Sequence, residues 1–161
     1  MDQSIDDLKR WIGRTETVAD VISATPYAAL SATLDRSATR PAAGTPLPPL
    51  WHWLYFLPLP AQSEVGPDGH AKRGGFLPPV PLPRRMWAGS QFAFRRVLRV
   101  GDGVLRTSTI ESVDAKSGRT GSLVFVRVRH EIRRLDETDV AVEEFHDIVY
   151  RGAPAPGAVA P

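Results

Sequence analysis

The chain has 161 residues, 42% hydrophobic and 24% charged, with 20 basic against 18 acidic side chains for a formal net charge of +2. That texture excludes a disordered chain and fits one domain with a single core, and so small a net charge gives no reason to expect a polyanionic partner. There is no cysteine, hence no disulfide framework and no thiolate chemistry, and no apolar run approaches the ~20 residues of a membrane span.

The N-terminus, MDQSIDDLKRW, is acidic and amphipathic, unlike a signal peptide, so the expectation is a soluble cytoplasmic protein. Ser4 with Asp7 three residues on predicts a helix start; Ile5, Leu8, Trp11 and Ile12 form one apolar stripe that Gly13 ends. TVADVIS (17–23) alternates and is rich in β-branched residues, which predicts a strand. Thr25-Pro26 predicts an N-cap with proline at the first helical position, and a helix running to Asp35. After a turn-rich loop (36–46), PPLWHWLYFL (48–57) is apolar all round and closed by Pro58. That is the pattern of a helix in the middle of a core, with a buried strand as the competing reading.

The stretch GPDGHAKRGGFLPPVPLPRRMWAG (66–89) is crowded with proline and glycine and admits no element of normal length until its last residues. Loops longer than about 12–15 residues are uncommon in compact domains and are usually functional or disordered. Beyond it, residues 92–98, 104–113, 123–134 and 140–151 are four strand-like runs separated by VGDG, DAKSGRTG and LDETD. Such short turn-forming connections predict an antiparallel meander. In the third run Val124, Val126, Val128, His130 and Ile132 share one face, and Phe125, Arg127, Arg129, Glu131 and Arg133 share a wet one. GAPAPGAVAP (152–161) reads as a linker, implying a neighbouring domain on this chain or another. The expected class is α+β: residues 1–151 form a hot-dog fold, an antiparallel sheet wrapped around a central apolar helix. A sandwich without that helix is the alternative.

LPPLWHWLYFLP (47–58), the loop 66–89, LRVGDGVLRTSTIESVDAKSGRTGSLVFVRVRHEI (98–132) and EFHDIVYR (144–151) resemble the N-terminal half of the MaoC-like double hot-dog hydratases and dehydratases. The branch resembled is that of mesaconyl-C4-CoA hydratase and the mitochondrial-type 3-hydroxyacyl-thioester dehydratases. The resemblance implies hydration or dehydration across C2–C3 of an acyl-CoA thioester. It implies no cofactor beyond that substrate, and a catalytic MaoC-like hot-dog partner domain in cis or in trans, as a homodimer or heterodimer. In the family's catalytic half the motif D-x-N-P-[LIV]-H supplies a carboxylate and a histidine for general acid–base work. Here the matching place reads Asp35-Arg36-Ser37-Ala38-Thr39-Arg40, with Arg40 where the histidine belongs. Pro48-Pro49 also lack the N–H groups that an oxyanion site would use. By resemblance this is the non-catalytic, substrate-binding half, and no catalytic residue is assigned to it. A stand-alone acyl-CoA-binding or regulatory module is the alternative.

From Lys72 to Arg106 the basic residues Lys72, Arg73, Arg84, Arg85, Arg95, Arg96, Arg99 and Arg106 face Asp102 as their one acid, a patch suited to phosphates or to a solvated sheet face. In the loop, Gly69, Gly74 and Gly75 allow close backbone approach, and Lys72, Arg73, Arg84 and Arg85 suit CoA phosphates or a substrate carboxylate. The competing reading is a proline-stiffened cover packing Phe76, Leu77, Met86 and Trp87 onto the sheet. Trp51, His52 and Tyr55 are candidates to line an acyl tunnel, with a core histidine as the plainer reading of His52. His70, His130 and His146 lack metal-ligand spacing, so no metal is expected. Glu143, Glu144 and Asp147 read as a solvated strand edge. LPPVPLPRR invites a polyproline-ligand reading, but the family resemblance across it implies an ordered loop. GSLVFVRV lacks the stacked aromatic pair of an RNA-binding strand, and neither nucleic acid nor membrane is an expected partner.

Overall fold

Ser4 caps α1 (Ile5–Lys9) by accepting the Asp7 N–H at 3.2 Å, and Leu8 is buried beneath it. In this computed structural model, which describes residues 4–36, 40–118 and 121–153, Gly13 at φ +82° turns the chain into β1 (Thr15–Val21). Ser37, Ala38 and Thr39 of the Asp35–Arg40 segment, Arg119 and Thr120 of the expected turn, and 154–161 of the expected linker lie outside the described residues. Helix α2 (Ala24–Thr33) begins after Ser23, which stands at the N-cap position without a side-chain capping bond, so Pro26 sits at the third helical position and not the first. It is still within the first turn, where its missing N–H removes no helical hydrogen bond.

The expected central helix is not there. Residues 48–57 form a single 3-10 turn, Trp51–Leu54, closed by bonds from Trp51, Trp53 and Tyr55 N–H to the carbonyls three residues back. Leu50 and Phe56, at φ +71° and +56°, bracket it in left-handed backbone that no helix passes through. Nor is the segment buried all round: Trp51, His52, Tyr55 and Phe56 are buried while Leu50, Trp53 and Leu57 are exposed, so apolarity fixed neither burial nor helix, and aromatic residues are weak helix formers.

Four long strands follow: β2 (Arg84–Phe94), β3 (Gly103–Gly118), β4 (Gly121–Arg134) and β5 (Val142–Arg151). The first begins earlier than the expected 92–98, so Arg84, Arg85, Met86 and Trp87 are strand residues. The sheet order is β1-β3-β4-β5-β2, all pairs antiparallel. The meander therefore holds for β3, β4 and β5 only; β2 crosses over to pair with β5, leaving β1 and β2 as the edges.

The alternation expected of β4 is observed: Val124, Val126, Val128 and Ile132 are buried. A bulge between Ile110 and Ser112 shifts parity, so that Ile110 and Val113 both face the core. Two apolar clusters cover this inner face. One gathers Ile22, Trp51, Tyr55, Phe56, Val104, Ile132 and Val142; the other gathers Leu8, Val80, Ile110, Val126, Val128, Ile148 and Tyr150. No helix among the described residues is long and apolar enough to cross a membrane.

Candidate functional site

Between the two apolar clusters runs a row of polar side chains set by strand register. Ser108 on β3 pairs with His130 on β4, His130 with Glu144 on β5, and Glu144 with Phe92 on β2. Arg106 lies two residues along β3 from Ser108, and His146 two along β5 from Glu144, so period-2 alternation points all five inward. Ser108 and Glu144 are buried at 0% and 4% exposure. Buried polar groups persist only when satisfied, and these are. Glu144 Oε2 accepts Trp53 Nε1–H at 3.0 Å and lies 3.5 Å from His52 Nε2, while Oε1 accepts Ser90 Oγ–H at 3.0 Å. Ser90 Oγ in turn accepts Trp87 Nε1–H at 3.1 Å. His130 Nδ1 lies 2.8 Å from Ser108 Oγ.

Of this network His52, Trp53, Trp87, Arg106, His130, Glu144 and His146, with Tyr55 to Pro58 and Ile132, line a cavity of about 420 Å³, while Ser90 and Ser108 stand behind it. The truncated 3-10 turn forms one wall and the sheet the other. Phe56 is held in its left-handed conformation by Asp20, whose Oδ2 accepts the Phe56 N–H at 2.6 Å. Backbone strain of this kind costs about 1–3 kcal/mol and gathers at functional sites. The Tyr55 hydroxyl donates to the Ser23 carbonyl at 2.7 Å; burial and the Asp20 charge push its pKa up to about 12.

The electrostatics follow from that geometry. Burial alone would raise the Glu144 pKa, but donors on His52, Trp53 and Ser90 hold it well below the carboxylate range, at about 2. Burial, reinforced by the Arg106 charge, pulls His130 down to about 4, and burial lowers His146. At neutral pH Glu144 is thus ionised, and burial favours the neutral imidazole at His130 and His146. Carboxylate and imidazole side by side are general acid–base chemistry in kind. Among the described residues no group of three His, Cys, Asp or Glu is placed to hold a metal ion.

The structure divides the candidates drawn from the sequence. His52 and Tyr55 line the cavity; Trp51 packs instead in the apolar cluster, 4.7 Å from the Tyr27 ring. The loop residues stand apart from the cavity lining. Arg73 donates to the carbonyls of Val80, Leu82 and Pro83, and Arg85 lies 3.2 Å from Asp68. Lys72 is exposed and 3.8 Å from Glu64, Arg84 is exposed, Gly74 takes φ +90°, and Gly75 has open space around its Cα. Trp87 is 63% exposed at the cavity and does not pack into the core, as Phe76 and Leu77 do.

Glu144, expected on a solvated edge, is instead buried on the inner face of the sheet. Only Glu143 and Asp147 belong to the outer face, paired there with Arg95 and Arg127. A usable signal existed: Val142, Glu144, His146, Ile148 and Tyr150 share one parity, so Glu144 and His146 interrupt an otherwise apolar face, as His130 does in β4.

The model of the hydroxyacyl-thioester dehydratase type 2 family matches residues 50–160. The chain is 48% identical over 152 residues to the mesaconyl-C(4)-CoA hydratase of Chloroflexus aurantiacus, covering 93% of this chain and 54% of that protein. It thus spans about half the length of the curated relative it matches. Among solved structures it is similar to the ChsH1–ChsH2 complex from Mycobacterium tuberculosis, with TM-score 0.62, 14% identity, and 97% and 94% of the two chains covered. It is also similar to the (R)-hydratase from A. caviae involved in PHA biosynthesis, with TM-score 0.51, 13% identity, and 87% and 96% covered. At such identities these likenesses speak for fold: the chain has the hot-dog fold, its central helix reduced to one turn.

Proposed function

Because the chain belongs to the hydroxyacyl-thioester dehydratase type 2 family, we propose that it is the acyl-binding half of a hydro-lyase. The enzyme adds water to, or removes it from, C2–C3 of an acyl-CoA thioester, mesaconyl-type substrates included, and a partner hot-dog domain in cis or in trans supplies the catalytic residues. The observation that carries this reading is the cavity. At about 420 Å³, walled by aromatic rings with a few converging polar groups, it has the size and texture of a small-ligand pocket. Arg40, standing where the family's catalytic half has its histidine, supports a division of labour in which this half binds and the other reacts. Exposed Lys72 in the loop and Arg84 at the start of β2 are the cations offered to CoA phosphates, while Arg73 and Arg85 brace the loop between them. The similarity to the ChsH1–ChsH2 complex supports a hot-dog partner. Without one, the edge strands β1 and β2 give a second copy of this chain a place to pair.

The test is hydration of crotonyl-CoA, followed by loss of enoyl absorbance, with this chain alone and with a hot-dog domain bearing D-x-N-P-[LIV]-H. No turnover alone and turnover together is the expected result. Turnover by this chain alone, abolished by Asp35→Ala, overturns the division of labour; thioester binding with no turnover in either case favours a stand-alone binding module.

A further inference from the structure

His52 stands between two cavities. Its buried ring has Nε2 3.5 Å from Glu144 Oε2 on one side and the centre of the Phe94 ring 6.0 Å away on the other. Glu144 belongs to the wall of the 420 Å³ cavity. Phe94 belongs to a second, smaller cavity of about 90 Å³, whose other walls include Leu47, Pro48, Val97 and Leu98. His52 is the one residue common to the two linings.

The smaller cavity would continue the larger one for an apolar chain. Apart from His52, its one polar lining residue is Arg96, whose guanidinium is engaged by Asp139. Phe94 and Val97 are exposed, so its far side reaches solvent. The imidazole between the two is lightly held. Its contact with Glu144 lies at the limit of hydrogen-bond range and is the one side-chain hydrogen bond of that ring among the described residues. Glu144 keeps Trp53 and Ser90 as donors without it, so the carboxylate stays hydrogen-bonded when the ring is removed.

We propose that His52 sets the length of acyl chain this half accepts: its ring closes the acyl cavity toward the smaller one, and without it the two join into one passage that takes a longer unbranched chain. The proposal rests on the reading of the 420 Å³ cavity as the acyl site and adds to it where the acyl chain must end. Each methylene that a longer chain buries is worth about fourfold in affinity, so the length at which this gain stops marks the end wall.

The experiment is calorimetric binding of butanoyl-CoA, octanoyl-CoA and dodecanoyl-CoA to the full chain. In the wild-type protein the gain should stop within the series, with octanoyl-CoA and dodecanoyl-CoA within about threefold of one another. In His52→Ala the affinity for dodecanoyl-CoA relative to butanoyl-CoA should rise at least about tenfold over wild type. His52→Asn, shorter but still polar, should move that ratio in the same direction and serves if the alanine variant does not fold. Adding Val97→Trp, which refills the smaller cavity, should return the ratio to its wild-type value; a general loosening of the fold would not be reversed in this way. Affinity that climbs through dodecanoyl-CoA in the wild type, an unchanged ratio in folded His52 variants, or a raised ratio that survives Val97→Trp overturns the proposal and leaves the acyl cavity bounded elsewhere. If none of the three thioesters binds, or if Ile132→Trp, which fills the larger cavity, leaves butanoyl-CoA affinity intact, the acyl-site reading falls and this proposal with it.

Discussion

His130 and Glu144 are direct cross-strand partners in the β4–β5 ladder, an imidazole and a carboxylate facing one another on the inner side of the sheet. The histidine is kept neutral there, and this sets a pH dependence. Its pKa is depressed in the folded state to about 4, against 6.5 for the free side chain, so between these values the unfolded chain binds the extra proton. Its contribution is complete above pH 6.5 and is lost as pH falls toward 4, an effect on the order of 3 kcal/mol. His146, lowered in the same direction, adds to the slope. Urea denaturation at intervals from pH 7 to pH 4 should show falling stability, flattened in His130→Gln. A flat wild-type profile would show that His130 is not held neutral by its surroundings.

Glu144 fastens two tryptophans, Trp53 directly and Trp87 through Ser90. Glu144→Leu leaves the Trp53 indole N–H and the Ser90 hydroxyl without their acceptor and should lower stability by roughly 3–5 kcal/mol. Glu144→Gln retains an amide oxygen and should cost less. The denaturant midpoint reports stability and tryptophan emission reports the environment of the indoles. A leucine variant as stable as wild type would mean that the polar row is dispensable to the fold.

The loop arginines should separate by role. Arg73→Met removes donors to three carbonyls and the contact with the Tyr150 ring, at 5.2 Å. It should lower stability by about 2 kcal/mol or more and leave CoA-thioester affinity nearly unchanged. Arg84→Ala, at an exposed strand position, should stay within about ±0.5 kcal/mol in stability. If Arg84 meets a CoA phosphate, affinity should drop about tenfold, for a lost contact worth roughly 1.5 kcal/mol. Unchanged affinity in Arg84→Ala would remove that residue from the ligand.

Trp87→Ala tests the cavity mouth. A core tryptophan would cost about 3–5 kcal/mol to truncate. At 63% exposure Trp87 should cost under about 1 kcal/mol, with its effect appearing as weaker acyl-thioester binding. A large loss of thermal stability with unaltered binding would place the side chain in the scaffold and not at the ligand.

What the sequence by itself determined is what depends on neighbours along the chain. The Ser4–Asp7 cap, the turns at Gly13 and Gly101, and the alternation that sends Val124, Val126, Val128, His130 and Ile132 to one face all follow from spacings of a few residues. The motifs of residues 47–58, 66–89, 98–132 and 144–151 carried the family as well. What only the tertiary structure decided is who meets whom across strands. Glu144, beside Glu143 and near Asp147, looks like part of an acidic edge until β5 is placed between β4 and β2 with Phe92 and His130 opposite it. Ser108, Arg106 and His146 enter the same row only through register and crossover, which are long-range choices that no local window contains. The segment 48–57 failed for a related reason. Its apolarity could not say which side chains would be buried, and the Asp20 carboxylate that receives the Phe56 N–H, and so helps to hold it as a turn, lies on β1. Local periodicity assigns a residue to a face; packing alone assigns its partners, and the site is made of partners.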